Sequence, residues 1–257
     1  MSSFPTDHPL APALEVAVCA VREAGLLCRT VQADLDPGAM AKKDRSPVTV
    51  ADYGSQALVC RALGEAYPDD PVIGEEDSAE LCSPDNAAIL ERVTGFVRDH
   101  RPEANAAQVC AWIDRGSAKD HAPRYWTLDP IDGTKGFLRG DQYAVALALV
   151  LDGQLAAAVV GCPNLGPSVG EDRGDGTLYT ALRGAGAWSQ PLAIAGEPTP
   201  VRVSEQDDPG LIRFCESVEA AHSSHCLLYT SPSPRDELAD LVCRLQLEKR
   251  GGGGGGG

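Results

Sequence analysis

Apolar residues recur at helical spacing in the first hundred positions of the chain. The pattern predicts an amphipathic helix over residues 10–34, a second helix that follows 48–52 and ends before Pro68, and a third over 85–99. Residues 100–124 are polar and rich in small side chains, and they are interpreted as a loop. The opening third of the protein is therefore predicted to be mainly helical.

The second half alternates short apolar runs with turn residues. Residues 143–150 and 155–160 flank an Asp-Gly pair, which is a strong hairpin signal, and 177–182 and 186–192 form a second candidate pair. Together these runs predict an antiparallel sheet with helices packed against it. The fold class is expected to be α+β or α/β.

Composition and charge exclude several classes of protein. The chain has 257 residues and a formal net charge of −15, so it lacks the general attraction to phosphate backbones that nucleic-acid binding requires. It has no apolar run of about 18 residues and no visible secretory signal, so no membrane association is expected. Its nine cysteines include no Cys-x-x-Cys pair, which favours reduced thiols and a cytoplasmic location, with an organelle still open.

The segment WTLDPIDGTKGF, residues 126–137, carries the most specific chemistry. Asp129 and Asp132 stand three residues apart across a break at Pro130 and Gly133. Carboxylates this close repel each other unless a cation lies between them, and Mg²⁺ prefers oxygen ligands of this kind. On spacing alone, an ordinary polar turn remains open, since Asp and Gly are common turn residues.

The whole segment resembles the signature of the lithium-sensitive, magnesium-dependent phosphatases typified by inositol monophosphatase. Its continuation TKGFLRG, followed by QYAVALAL, is similar to the 3'(2'),5'-bisphosphate nucleotidase branch of that family. The resemblance implies a layered sugar-phosphatase fold with alternating helix and sheet layers. It also implies about two or three Mg²⁺ ions as cofactors and inhibition by lithium and sodium.

The resemblance extends to two further motifs. SPVTVADYGSQA contains Asp52, which in the family faces the metal site, although an aspartate there could simply complement a helix dipole. A short strand, residues 71–74, opens onto Glu75, Glu76 and Asp77. Glu75 matches the family's metal-binding glutamate, and Glu76 is a weaker candidate for a residue that supports the metal ligands without binding the metal itself, although acid runs are usually solvated. The implied metal ligands are Glu75, Asp129, Asp132 and the backbone carbonyl of Ile131, and the implied catalytic pair is Asp52 and Thr134.

Substrate binding is expected from residues that follow the acids. Gly133 and Thr134 are predicted to begin a helix whose free N–H groups hold a phosphate. Lys135, with Arg139 behind it, is placed to meet a second phosphate, although plain surface charge is equally compatible. In the nucleotidase branch, residues equivalent to His222, Ser223 and Ser224 line the nucleotide pocket.

The resemblance implies hydrolysis of 3'-phosphoadenosine 5'-phosphate to AMP and phosphate, and also action on 3'-phosphoadenylyl sulfate. The expected partner is thus a small phosphorylated nucleotide, and a monomer is expected although the sequence does not determine the oligomeric state. Two alternatives remain: an inositol (poly)phosphate 1-phosphatase, and a truncated relative that binds metal or nucleotide without turnover. A zinc hydrolase is disfavoured because His and Cys lack ligand spacing.

The resemblance ends near His225. We expect a metal-site domain over residues 1–197, the start of an incomplete second domain over 198–225, and a non-native or disordered tail over 226–257 with its terminal glycines. The genomic locus would test the origin of the tail. The family's Trp-Asp-x-Ala-Ala-Gly motif, which carries a further metal ligand, is not found. We therefore expect the chain alone to be poorly soluble or inactive.

Overall fold

Two long helices begin the fold, as the apolar spacing predicts. Helix α1 spans Ala11–Ala33 and helix α2 spans Ser46–Ala66, and they pack against each other through buried Ala, Val and Leu side chains. Since α2 begins ahead of the predicted start, Asp52 lies in its second turn. The structure, a computed structural model, describes residues 5–34, 46–166, 174–194, 196–203 and 205.

In the described part of the chain, seven strands form one sheet in sequence order. They are β1 Val72–Ile73, β2 Arg124–Asp132, β3 Ala144–Leu151, β4 Gln154–Cys162, β5 Thr177–Leu182, β6 Gly186–Pro191 and β7 Thr199–Val201. Strand β1 runs parallel to β2 and every other neighbouring pair is antiparallel. The antiparallel sheet predicted from the apolar runs between residues 143 and 192 is therefore confirmed. The β1 edge adds a parallel pair, which the long helical connection between β1 and β2 allows.

Both predicted hairpins are present. Between β3 and β4, Asp152 and Gly153 have φ values of 48° and 73°, the left-handed conformation that a tight two-residue hairpin turn requires. Strands β5 and β6 pair around a turn in which Gly184 also has a positive φ of 74°. The local turn chemistry accounts for this half of the sheet.

Helices cover the sheet in layers. Helix α1 lies against β3, β4 and β5, and α2 lies against β2, while α4 (Ala87–His100) and α5 (Ala106–Asp114) pack on α2. The short helices α3 (Ser78–Leu81) and α6 (Thr134–Arg139) flank the acidic segments. The layered α+β fold class is confirmed. No helix in the described ranges has the length and apolar character to cross a membrane.

The prediction of a loop over residues 100–124 is wrong, because α5 lies within it. Asn105 begins α5 with a capping box: its side chain accepts from the Gln108 N–H, and the Gln108 side chain accepts from the Asn105 N–H. Val109 and Ile113 then point into the core with no exposure. A helix this short buries only these two large apolar side chains fully, so its periodicity was hidden among the surrounding polar residues.

The expectation of reduced thiols is also corrected at one pair. Cys82, just after α3, and Cys110 in α5 form a disulfide, whereas Cys19, Cys28, Cys60 and Cys162 are free. The two bonded residues are 28 positions apart. Their proximity arises only because α3 packs against α5.

The predicted domain boundary stays a prediction. Met1–Arg202 form one compact unit, and β7, which pairs with β6, lies at the start of the segment assigned to the second domain. Most of the predicted second-domain segment, 198–225, and all of the tail, 226–257, lie outside the described residues.

Candidate metal and phosphate site

A bulge in β2 brings its two aspartates to the same face of the sheet. In a regular strand, residues three apart point to opposite faces, because side chains alternate with a period of two. Here Asp129 pairs with Ala146 and Asp132 with Ala144, so three steps along β2 match two along β3. The extra residue restores a common direction for both carboxylates. Pro130 lies within this bulge, where its missing N–H is tolerated.

The parallel β1–β2 pair brings a third acid to the same edge. Ile73 pairs with Thr127, and Glu75 and Asp129 each follow that pair by two residues. Glu75 is exposed, whereas Glu76 is half-buried and its carboxylate accepts a hydrogen bond from the Tyr53 hydroxyl. Glu75 therefore has the freer carboxylate of the two.

The pKa values show that these acids share one electrostatic environment. Burial raises the pKa of Asp129 to about 6, and the charges of Glu75 and Asp132 add to the effect. Burial likewise raises the pKa of Asp52 to about 8, with contributions from Glu76, Glu75 and Asp129. Helix α2 thus places Asp52 beside both acidic segments, and their mutual repulsion favours a bound cation.

The donor set fits a hard divalent cation. The Oδ1 atom of Asp129 is buried and has no hydrogen-bond partner, and leaving a buried carboxylate oxygen unpaired is unfavourable without a cation. Across the described ranges, no three His, Cys, Asp or Glu side chains converge closely enough to hold an ion as they stand. Uncompensated carboxylates repel each other. To bind one ion, the carboxylates of Glu75, Asp129 and Asp132 would therefore have to come closer to one another.

The segment after the aspartates forms the predicted helix start. Gly133 takes a left-handed conformation, with φ 94° and ψ 42°, and α6 begins at Thr134. Thr134 and Lys135 are exposed, and Arg139 pairs with Asp141 at 2.8 Å. Ile131 is 3% exposed, and its N–H donates to Asp129. The roles of these residues with metal and phosphate stay predictions.

His222, Ser223 and Ser224 lie outside the described residues. Their place in a nucleotide pocket stays a prediction.

Two polar residues of α2 organise the site and were missed from the sequence. The Ser55 hydroxyl donates to the Pro130 carbonyl at 3.1 Å, and the Gln56 side chain bonds the backbone of Glu76. Both are fully buried. Their positions three and four residues after Asp52 place all three on one helix face, a signal that the sequence already contained.

Without metal, the raised carboxyl pKa values predict a pH-dependent stability. The folded protein holds protons that the unfolded chain releases near a pKa of 3.8, so the stabilisation is complete below that pH. We expect the free energy of unfolding in EDTA to fall as the pH rises from 3.8 to about 8. Urea denaturation across this range measures it. A stability that rises throughout the range would contradict the described clustering of acids.

Comparison with known families decides the relationship. The model of the inositol monophosphatase family matches residues 10–231. The chain belongs to the inositol monophosphatase family. The matched range ends close to His225, where the resemblance in the sequence was expected to end.

Relatives within this family share a further name. The chain is 37% identical over 245 residues to 3'(2'),5'-bisphosphate nucleotidase 1 of Candida albicans, covering 86% of this chain and 67% of that protein. It is 40% identical over 234 residues to 3'(2'),5'-bisphosphate nucleotidase 1 of Arabidopsis thaliana, covering 83% and 66%. The chain thus spans about two thirds of the length of these relatives.

Solved structures of this family are also similar. Mycobacterium tuberculosis SuhB has 22% identity and a TM-score of 0.47, with 78% of this chain and 55% of that chain covered. CysQ from Bacteroides thetaiotaomicron, a bacterial member of the inositol monophosphatase family, has 20% identity and a TM-score of 0.46, with 75% and 54% covered. The chain spans about half the length of these two structures.

Proposed function

We propose that the protein is a Mg²⁺-dependent phosphomonoesterase that hydrolyses 3'-phosphoadenosine 5'-phosphate to AMP and phosphate, and also acts on 3'-phosphoadenylyl sulfate. The observation that carries the proposal is the shared face of Asp129 and Asp132, with Glu75 at the same edge. The names of the relatives support the nucleotide as substrate.

The proposed ligands are Glu75, Asp129, Asp132 and the carbonyl of Ile131. When bound, Mg²⁺ would neutralise the charge of the phosphate and lower the pKa of a coordinated water. The oxygen donors of this set suit Mg²⁺, which retains waters and substrate phosphate in its other positions. About two or three ions would be needed to serve both the attacking and the leaving oxygen.

Proton transfer in the proposal uses Thr134 and Asp52. The Thr134 hydroxyl would accept a proton from the attacking water while it donates its own proton to the Asp52 carboxylate. This step requires Asp52 in its carboxylate form, which a cation bound at Glu75 and Asp129 would favour by offsetting the charges that help raise the pKa of Asp52. The N–H groups at the start of α6 hold the phosphate, and Lys135 meets the second phosphate of the nucleotide.

A phosphate-release assay with Mg²⁺ tests the proposal. Although the chain by itself is expected to have little or no activity, any phosphate release from 3'-phosphoadenosine 5'-phosphate should exceed release from inositol monophosphate, and EDTA should abolish both. Calorimetry with Mg²⁺ on the same preparation separates binding from turnover. Binding without any phosphate release would favour the non-catalytic alternative, and preferential release from the inositol ester would favour the inositol phosphatase.

A further inference from the structure

Gln56 links helix α2 to the loop that carries Glu75 and Glu76. Its Nε2 donates to the Glu76 carbonyl at 2.6 Å, and its Oε1 accepts from the Glu76 N–H at 3.0 Å. The same Nε2 also donates to the Ile113 carbonyl in α5 at 3.0 Å. The amide therefore pairs with both backbone groups of Glu76, as a neighbouring strand would.

Two glycines make room for this amide. A Cβ atom on Gly74 would lie 2.5 Å from Oε1, and one on Gly116 would lie 2.6 Å from Nε2. The Gly74 N–H also donates to the Gly116 carbonyl at 2.7 Å. Gln56 is fully buried between them, so its side chain has little freedom to take another orientation.

The residue before Gln56 connects the same helix to the other acidic segment. Ser55 donates to the Pro130 carbonyl, inside the β2 bulge between Asp129 and Asp132. Ser55 and Gln56, one helical turn after Asp52, thus each bond one acidic segment. Ser55 bonds the Asp129–Asp132 segment and Gln56 bonds the Glu75–Glu76 loop. The spacing between the segments depends on this one helix face.

We propose that Gln56 is a positioning residue that sets the affinity of the site for Mg²⁺. It holds the backbone of the Glu75–Glu76 loop at a set distance from Asp129, so that Glu75 reaches the same ion. The inference rests on the proposed metal site. A neutral amide is suited to this position because it both donates and accepts. A lysine could donate to the loop but not accept from it, and a glutamate would add another negative charge beside the acids.

The test is Mg²⁺ binding to the full chain, measured by calorimetry. In Gln56→Met the side chain keeps its length and loses its amide. We expect its Kd for Mg²⁺ to rise about 10- to 100-fold, the usual effect of losing a group that orients metal ligands. Gln190→Met is the matched control, since Gln190 is also a buried glutamine but lies in β6, away from the acidic segments. Its Kd should equal that of the wild type.

A second pair of variants leaves the amide chemistry intact. Gly116→Ala crowds Gln56 without replacing it, and we expect weaker Mg²⁺ binding in this variant too. Gly95→Ala is its control, because a Cβ there meets nothing within 4 Å. If Gln56→Met does not fold, the Mg²⁺ affinities of Gly116→Ala and Gly95→Ala still test whether Gln56 positions the metal site. Thermal unfolding in EDTA shows which variants are folded.

The possible results separate the inference from the proposed function. A Kd unchanged in Gln56→Met and Gly116→Ala, or raised equally in Gln190→Met, overturns the positioning role. Wild-type protein that binds Mg²⁺ but hydrolyses neither ester overturns the proposed function and leaves the positioning role standing on the Kd values. Wild-type protein that binds no Mg²⁺ overturns both.

Discussion

In protein that releases phosphate from 3'-phosphoadenosine 5'-phosphate, replacing Asp129 by asparagine is expected to lower that release by roughly a thousandfold, about 4 kcal/mol of transition-state stabilisation. Asp129 is central to the acidic group, since both Glu75 and Asp132 raise its pKa. Asparagine keeps the shape of the side chain and loses its charge. We also expect Mg²⁺ binding in calorimetry to weaken in the same variant.

The stability of this variant should change in the opposite direction. Asparagine removes a charge that the neighbouring acids repel, so the metal-free variant is expected to unfold at a higher temperature than the wild type at neutral pH. Asp69→Asn is the control, because Asp69 is exposed in the turn between α2 and β1. Full activity in Asp129→Asn, or lost activity with lowered stability, would remove Asp129 from the proposed ligands.

Gly136→Ala is expected to lower the free energy of unfolding by about 2–3 kcal/mol. A Cβ atom at this buried position of α6 would overlap the carbonyl oxygen of Gln142, which is backbone and cannot rotate away. The Gly136 carbonyl also accepts from the Asp141 N–H at 2.8 Å, so the chain after α6 must move with it. Urea denaturation measures the effect.

The matched substitution for this prediction is Gly95→Ala. Gly95 lies exposed inside α4, and alanine there should raise the free energy of unfolding by about 0.5–1 kcal/mol, because it restricts the unfolded chain. If Gly136→Ala were as stable as the wild type, the described packing of α6 against the Gln142 backbone would be wrong. Phosphate release should also fall in Gly136→Ala, since Thr134 and Lys135 belong to the same short helix.

The elements that the sequence predicted best are those specified by their own residues. The β3–β4 turn needs positive φ at two consecutive positions, and Asp152-Gly153 supplies residues that tolerate it. Helix α1 is long enough for its apolar spacing to be unambiguous. Helix α5 was missed because its apolar face is too short to give a clear helical pattern. Its N-terminal cap, formed by Asn105 and Gln108, is a strong signal that was overlooked. A capping box searched for by itself would have found it.

The candidate site likewise has features that the local sequence specifies and features that only the tertiary structure specifies. The sequence alone determined which acids to consider, because the spacing in WTLDPIDGTKGF and the motifs around Asp52 and Glu75 are local and specific. Only the tertiary structure decided how they meet. The β2 bulge turns Asp129 and Asp132 to one face, and the parallel pairing with β1 brings Glu75 to their edge. Buried Gln56 then holds that loop on α2. Register and burial arise from contacts between residues far apart in the chain, so no local pattern of residue types specifies them.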